Sequence, residues 1–147
     1  MAKRDRIATL QRLAGHTEAE NARRLAERLR ALDTEERRLQ QIRGYLAEYA
    51  QSGNSQPASM TISSLRSGRG FLERLRDAVN EQRGTVETQR HQVDQQTLQW
   101  RAARARTRSL EKLGEHLGQQ DQERRDRREQ HRLDEMATSR SSTTRKV

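Results

Sequence analysis

The stretch QSGNSQPASMTISS, residues 51–64, decides the fold. It holds the single proline, Pro57, with Gly53 and a cluster of Ser, Asn and Thr, residues that favour turns and break helices. It carries no charge in a chain that is 35% charged. Long helical patterns lie on both sides. A break between two such helices predicts a hairpin with this stretch at its tip. The expected fold class is all-α: two long helices forming an antiparallel coiled-coil hairpin with a longer second helix. The expected bounds are 3–51 for the first helix, 52–66 for the tip and 67–137 for the second helix, a single hairpin over 1–138. Ser63, Ser64 and Ser67 are candidate N-caps of the second helix. A Ser- and Thr-rich disordered tail is expected over 139–147.

Composition sets the thickness of the core. Hydrophobic residues make up 30% of the 147, against roughly 45–50% in typical domains counted with glycine. The aromatic residues are Tyr45, Tyr49, Phe71 and Trp100. That is too little for a thick core and enough for one seam, which needs two positions in seven. Low hydrophobicity with high charge is also the signature of disorder, but periodicity opposes that reading over most of the chain. There is no cysteine, hence no disulfide framework and no thiolate zinc site. No apolar run approaches membrane-spanning length, and MAKRDRIATL lacks the apolar core of a secretory signal. The expectation is a soluble protein of a reducing cytoplasm. Net charge is +9, which favours acidic partners such as nucleic acid, anionic membrane or acidic protein surfaces without choosing among them.

The first seam is read from positions 22, 25, 29, 32, 36, 39, 43, 46 and 50, which alternate steps of three and four. Ala22, Leu25, Leu29, Leu32, Leu39, Leu46 and Ala50 support it, and Glu36 and Arg43 weaken it. Ile42 and Tyr49 offer an alternative face near the tip. Before Ala22 the candidates are Ile7, Leu10, Leu13 and Ala14. The second seam runs through 72, 75, 79, 82, 86, 89, 93, 97 and 100, with Leu110, Leu113 and Leu117 continuing it. Gly15, Gly84, Gly114 and Gly118 fall inside these patterns, each costing about 1 kcal/mol against alanine in a helix. Folding back at the tip pairs residues whose numbers sum to roughly 110–115. Trp100 then lies near Leu10 and Leu13, and residues 115–137 have no partner within the chain.

Enzyme motifs are absent: no glycine-rich phosphate loop, no HExxH and no EF-hand pattern. His16, His91, His116 and His131 are too far apart in sequence for a compact metal site. Carboxylates are scattered among arginines, and a thin two-helix fold offers no cavity to raise a carboxylate pKa. The expectation is a non-enzymatic chain with no cofactor, no metal and no small-molecule substrate.

The aromatic residues are better placed. Tyr45 and Tyr49 share one face of the first helix before the tip. Phe71 and Leu75 share one face after it, with Ala78 and Gln82 beyond. Two readings stand. The aromatics plug the tip end of the seam, or they form an exposed docking patch, because Tyr45 and Phe71 fall outside the best step pattern. The basic stretches are RAARARTR (101–108) and ERRDRREQHR (123–132). Arg101, Arg104 and Arg108 have helix-neighbour spacing and few acids nearby. The second stretch alternates signs, so it is either a run of intrahelical ion pairs or an arginine face for an acidic partner.

These residues resemble the FliJ family of flagellar type III export proteins, whose members are ATPase-associated coiled-coil stalks. The resemblance rests on Tyr45-Leu46-Ala47-Glu48-Tyr49, then Phe71 with Leu75 and Ala78, then Trp100-Arg101, and Leu133-Asp134-Glu135-Met136-Ala137. It covers nearly the whole chain. It implies a stalk similar to that of rotary ATPases, which enters the export ATPase hexamer, promotes its assembly and activity and couples hydrolysis to export. It also implies docking on the cytoplasmic linker of the export-gate membrane protein and binding of export chaperones. The expected location is cytoplasmic, peripheral at the inner face of the cell membrane at the flagellar base. Carried over by position, the gate-docking residues are Tyr45, Tyr49, Phe71, Leu75 and Ala78, with Ile42 and Gln82 at the edges. By region only, the ATPase contacts involve Leu10, Leu13, Arg101, Arg104, Arg108, Arg124 and Arg128. The rival readings are a basic helical nucleic-acid-binding protein, whose affinity would fall steeply with salt, and the equivalent stalk of a virulence injectisome. Against nucleic acid, no leucine zipper adjoins the basic region and there is no set of aromatics to stack bases.

Overall fold

A computed structural model describes residues 2–54 and 62–145, and the side chains of 2–52 and 66–144. These residues form two helices and no strand: α1, Ala2–Asn54, and α2, Ile62–Arg145. The two pack against each other antiparallel, as the sequence predicts. Pro57 and the rest of 55–61 lie outside the described residues. Helix α2 begins before Ser63, Ser64 and Ser67, so these are interior residues of the helix rather than its caps.

Helix α2 also runs past its expected end near 137, to Arg145. The Ser and Thr hydroxyls there bond back along the helix. Thr138 Oγ1 donates to the Asp134 carbonyl (2.8 Å) and Thr144 Oγ1 to that of Arg140 (2.6 Å). Such back-bonding gives these hydroxyls partners within the helix, although it does not itself favour the helix.

The chain divides into two compact units, Ala19–Ala102 and the pair Met1–Glu18 with Ala103–Val147. In the first unit the core is Leu39, Val79 and Val86, with Leu32, Ile42 and Leu46 packed against it. The seam positions of α2 are Leu72, Leu75, Val79, Gln82, Val86, Gln89, Val93, Gln96 and Trp100, all buried or half-buried. Those of α1 are Asn21, Leu25, Leu32, Glu35, Leu39, Ile42, Leu46 and Tyr49. Both series keep the three-four alternation of a coiled coil, except that α1 skips position 28, an exposed arginine, between Leu25 and Leu32.

Two expectations about this seam need correction. On α1 the leucines at 25, 32, 39 and 46 are in place, but the companion series is shifted back by one residue. Leu29 is 48% exposed, and Asn21 and Glu35 face α2 where Ala22 and Glu36 are expected; farther along α1 the alternative face of Ile42 and Tyr49 is the one used, in place of Arg43 and Ala50. On α2, Gln96 replaces Thr97. The cause is hydrogen bonding across the seam, which hydropathy does not register. Gln82 Nε2 donates to the Glu35 carbonyl (3.0 Å) and carboxylate (2.6 Å). Gln96 Nε2 donates to Asn21 Oδ1 at 3.0 Å. Buried amides are tolerable when satisfied in this way.

In the second unit Ile7, Gln11, Ala14 and Glu18 meet Ala103, Thr107, Leu110, Gly114, Leu117 and Asp121. Gln11 Nε2 donates to the Leu110 carbonyl (2.9 Å), Thr107 Oγ1 to that of Ala14 (3.3 Å), and Arg4 pairs with Asp121 at 3.5 Å. These pairs, like Gln82 with Glu35, sum to more than the expected window. Partnering therefore extends to Asp121, past the expected limit of 114. Beyond it every described residue of 122–144 is exposed. Leu113, expected in the seam, is 44% exposed.

Candidate functional site

The aromatic residues near the end of α1 and the start of α2 lie in the unit Ala19–Ala102. Tyr49 occupies a seam position and is half-buried. Its ring meets Phe71 edge-on, centroids 4.7 Å apart at 63°, an arrangement favoured by aromatic quadrupoles. Phe71 itself is 43% exposed and Tyr45 53%. Tyr45 is held from its own helix, where Gln41 Nε2 donates to its hydroxyl at 3.1 Å. Leu75 and Ala78 are half-buried on the α2 side.

The seven residues expected around this patch therefore divide. Tyr45 and Phe71 present aromatic surface to solvent, with Tyr49 bracing Phe71 from beneath. Ile42 packs against the core of Leu39, Val79 and Val86, and Gln82 is spent on Glu35. Those two build the seam under the patch rather than its rim. Tyr49 and Ile42 thus fill the seam, while Tyr45 and Phe71 leave aromatic surface exposed.

In the second unit Leu10 is 40% exposed and Leu13 57%. With Ala14, Thr17, Ala103 and Arg106 they line a shallow depression of about 150 Å³. Ala103 and Arg106 were not selected from the sequence. The usable signal was the repeat: Leu10 and Thr17 share one position of it on α1, and Arg106 and Leu113 share the matching position on α2.

Every candidate arginine is exposed: Arg101 in the first unit, and Arg104, Arg108, Arg124 and Arg128 in the second. The stretch 123–132 mixes both sequence readings. Arg127 pairs with Glu123 (4.0 Å) and Arg132 with Glu129 (3.7 Å). Arg124 and Arg128 make no ion pair among the described residues. Exposed pairs of this kind contribute little to stability, so the segment's charge is available to a partner.

Among the described residues no group of three or more His, Cys, Asp or Glu is placed to hold a metal. No described helix is long and apolar enough to cross a membrane. The open surfaces are of the kind that bind other proteins: aromatic edges, leucines beside arginine, and a charged helix face. Compared with known families, the chain matches the model described as "Flagellar FliJ protein" across residues 3–146. No curated protein and no solved structure gives a match.

Proposed function

The chain belongs to the FliJ family, a non-catalytic component of flagellar type III protein export, and from that premise we propose that it acts as the stalk of the export ATPase. In this reading the unit of Met1–Glu18 with Ala103–Val147 enters the ATPase hexamer. The observation that carries it is the exposed helix over 122–144, beyond Asp121, the last described residue paired with α1. Leu10 and Leu13 with Arg104, Arg108, Arg124 and Arg128 supply apolar and cationic contacts in that unit, and Arg101, a further candidate, belongs to the unit Ala19–Ala102. A single asymmetric chain in a ring of six like subunits touches only some of them at once. It thereby makes identical sites unequal, and biases turnover through differential contacts with subunit states.

The aromatic patch serves a second partner, the cytoplasmic linker of the export-gate membrane protein. Tyr45 and Phe71 make the contact, braced by Tyr49, Leu75 and Ala78, with Ile42 and Gln82 holding the seam below. Export chaperones are a third class of partner. Binding to the gate would hold the chain at the inner face of the membrane at the flagellar base. The family match favours the flagellar system over an injectisome.

The test is ATP hydrolysis by the cognate export ATPase at physiological salt, with and without this protein, with the hexamer fraction measured alongside. Stimulation together with more hexamer is expected, and Arg124→Glu with Arg128→Glu should reduce both. Tyr45→Ala with Phe71→Ala should leave stimulation intact and abolish binding to the gate linker. Normal gate binding by that double variant sinks the patch assignment. Absence of both stimulation and association with the ATPase sinks the stalk.

A further inference from the structure

The edge of the unit Ala19–Ala102 that does not carry Tyr45 and Phe71 has a different chemistry. Arg69, Arg76, Arg83 and Arg90 recur every seven residues on α2, all exposed and all next to the seam. Seven helical residues rise about 10 Å, so the row is a ladder of guanidinium groups with that spacing. Facing it, α1 carries Leu29, Glu36, Arg43 and Ala50 at one repeat position. The alignment is fixed by Arg90 and Glu36, which pair at 3.4 Å. Leu29 is 48% exposed. Arg90 also reaches Glu87 of its own helix at 3.9 Å. Among the described residues Arg43, Arg69, Arg76 and Arg83 make no ion pair, so two acids, Glu36 and Glu87, are shared by five arginines through Arg90 alone.

We propose that this edge is a docking groove for an acidic amphipathic helix of a partner protein, one that presents a carboxylate every seven residues. Three features select a helix. The ladder has the period of a coiled-coil flank, the position where charge selects helical partners. A guanidinium grips a carboxylate with two parallel hydrogen bonds, so arginine suits this use better than lysine. Leu29 and Ala50 give the partner's apolar residues somewhere to sit. A bilayer or a nucleic-acid duplex is broader. It would cover Glu73 and Glu87 on the outer side of the ladder, where Glu87 pairs with Arg90 at 3.9 Å, whereas one helix lying between the two rows meets Arg69, Arg76 and Arg83, which make no ion pair among the described residues. The inference concerns a surface distinct from the aromatic patch and stands whether or not the stalk reading holds.

The experiment uses the full chain and a labelled four-heptad helical peptide with leucines on its seam and Glu on the flanking positions. Binding is read by fluorescence anisotropy at physiological salt, where exposed long-range charge is screened. Binding is expected, and Arg76→Glu with Arg83→Glu should weaken it by about tenfold or more. Helicity by circular dichroism should be unchanged, since both side chains are exposed. The same peptide with Lys for Glu should prefer the double variant. Tyr45→Ala with Phe71→Ala should bind as the parent does. Equal affinity of parent and charge-reversed chain overturns the proposal. So does failure of the Glu peptide to bind while vesicles of anionic phospholipid, or duplex DNA, bind through the same arginines.

Discussion

The two units keep the same repeat and bury different things in it. Between Ala19 and Ala102 the seam closes over Leu39, Val79 and Val86, left 8%, 6% and 3% exposed. Branched aliphatic side chains of this size contribute roughly 1.5–3 kcal/mol each on full burial. Among the described residues of the unit of Met1–Glu18 with Ala103–Val147, the one hydrophobic residue buried as deeply is Ala14, at 6%. Its neighbours in the seam include Thr107 and Gly114, and its cross-helix hydrogen bonds run from side chains to backbone carbonyls. A three-four spacing is therefore enough to make a seam but does not set its strength. Residue size does that, and here it concentrates hydrophobic stabilisation in the first unit. The second unit is held by close approach, a weaker device and one easier to rearrange when a partner binds.

The largest effect should come from putting a charge into the apolar seam. Leu39→Asp places a carboxylate among Val79, Val86 and Leu32 and should cost at least about 3 kcal/mol, the range of unpaired buried charges. Thermal unfolding followed by circular dichroism would show a large drop in midpoint. Leu29→Asp makes the same chemical change one repeat position away and should stay within about 0.5 kcal/mol, as exposed substitutions do. Equal losses for the two would mean that Leu29 shares the seam and that α1 is rotated from the arrangement seen here.

Within the same unit the glutamines should separate by sign. Gln82→Ala removes two hydrogen bonds to Glu35 and leaves its carboxylate unpartnered by α2, at a cost of about 1–2 kcal/mol. Gln89, one heptad on, has its Oε1 buried with no hydrogen-bond partner among the described residues. Gln89→Leu should relieve that cost and fill the space with apolar atoms, raising stability by about 1 kcal/mol. Urea unfolding of the two variants against the parent checks both signs at once. A destabilised Gln89→Leu would show that its amide has a partner, such as a water, worth more than the leucine.

Legibility in the sequence followed the chemistry of the seam. Leu25, Leu32, Leu39 and Leu46 are apolar at one repeat position and were readable on α1, as were Val79, Val86 and Val93 on α2. The alternative face of Ile42 and Tyr49 was legible too, whereas earlier on α1 the companion series was misread by one residue at Asn21 and Glu35, which are polar. They face the seam only because Gln96 and Gln82 reach them from the other helix, and one-dimensional hydropathy cannot register a bond between residues so far apart in sequence. Thr97 was preferred to Gln96 for the same reason. The aromatic patch was legible because Tyr45 and Phe71 break the step pattern. Ala103 and Arg106 beside Leu10 and Leu13 were not, since their neighbours follow from the register rather than from composition.

The smallest effects should come from glycine, and they separate the two units most cleanly. A Cβ on Gly84, in the first unit, meets nothing within 4 Å. Gly84→Ala should therefore show the bare helix preference for alanine, a gain of about 0.5–1 kcal/mol. A Cβ on Gly114, in the second unit, collides with the amide of Gln11. That amide is the group donating to the Leu110 carbonyl. A flexible side chain can swing away, so Gly114→Ala should not unfold the chain. It should instead forfeit a hydrogen bond worth about 1 kcal/mol and cancel the helix gain. The expected signature is an unchanged thermal midpoint with faster amide hydrogen exchange over residues 7–14, against a raised midpoint for Gly84→Ala. If Gly114→Ala instead stabilises the chain as much as Gly84→Ala does, the Gln11 contact adds nothing. The second unit would then be held by Ala14 and its half-buried apolar neighbours rather than by hydrogen bonds across a close approach.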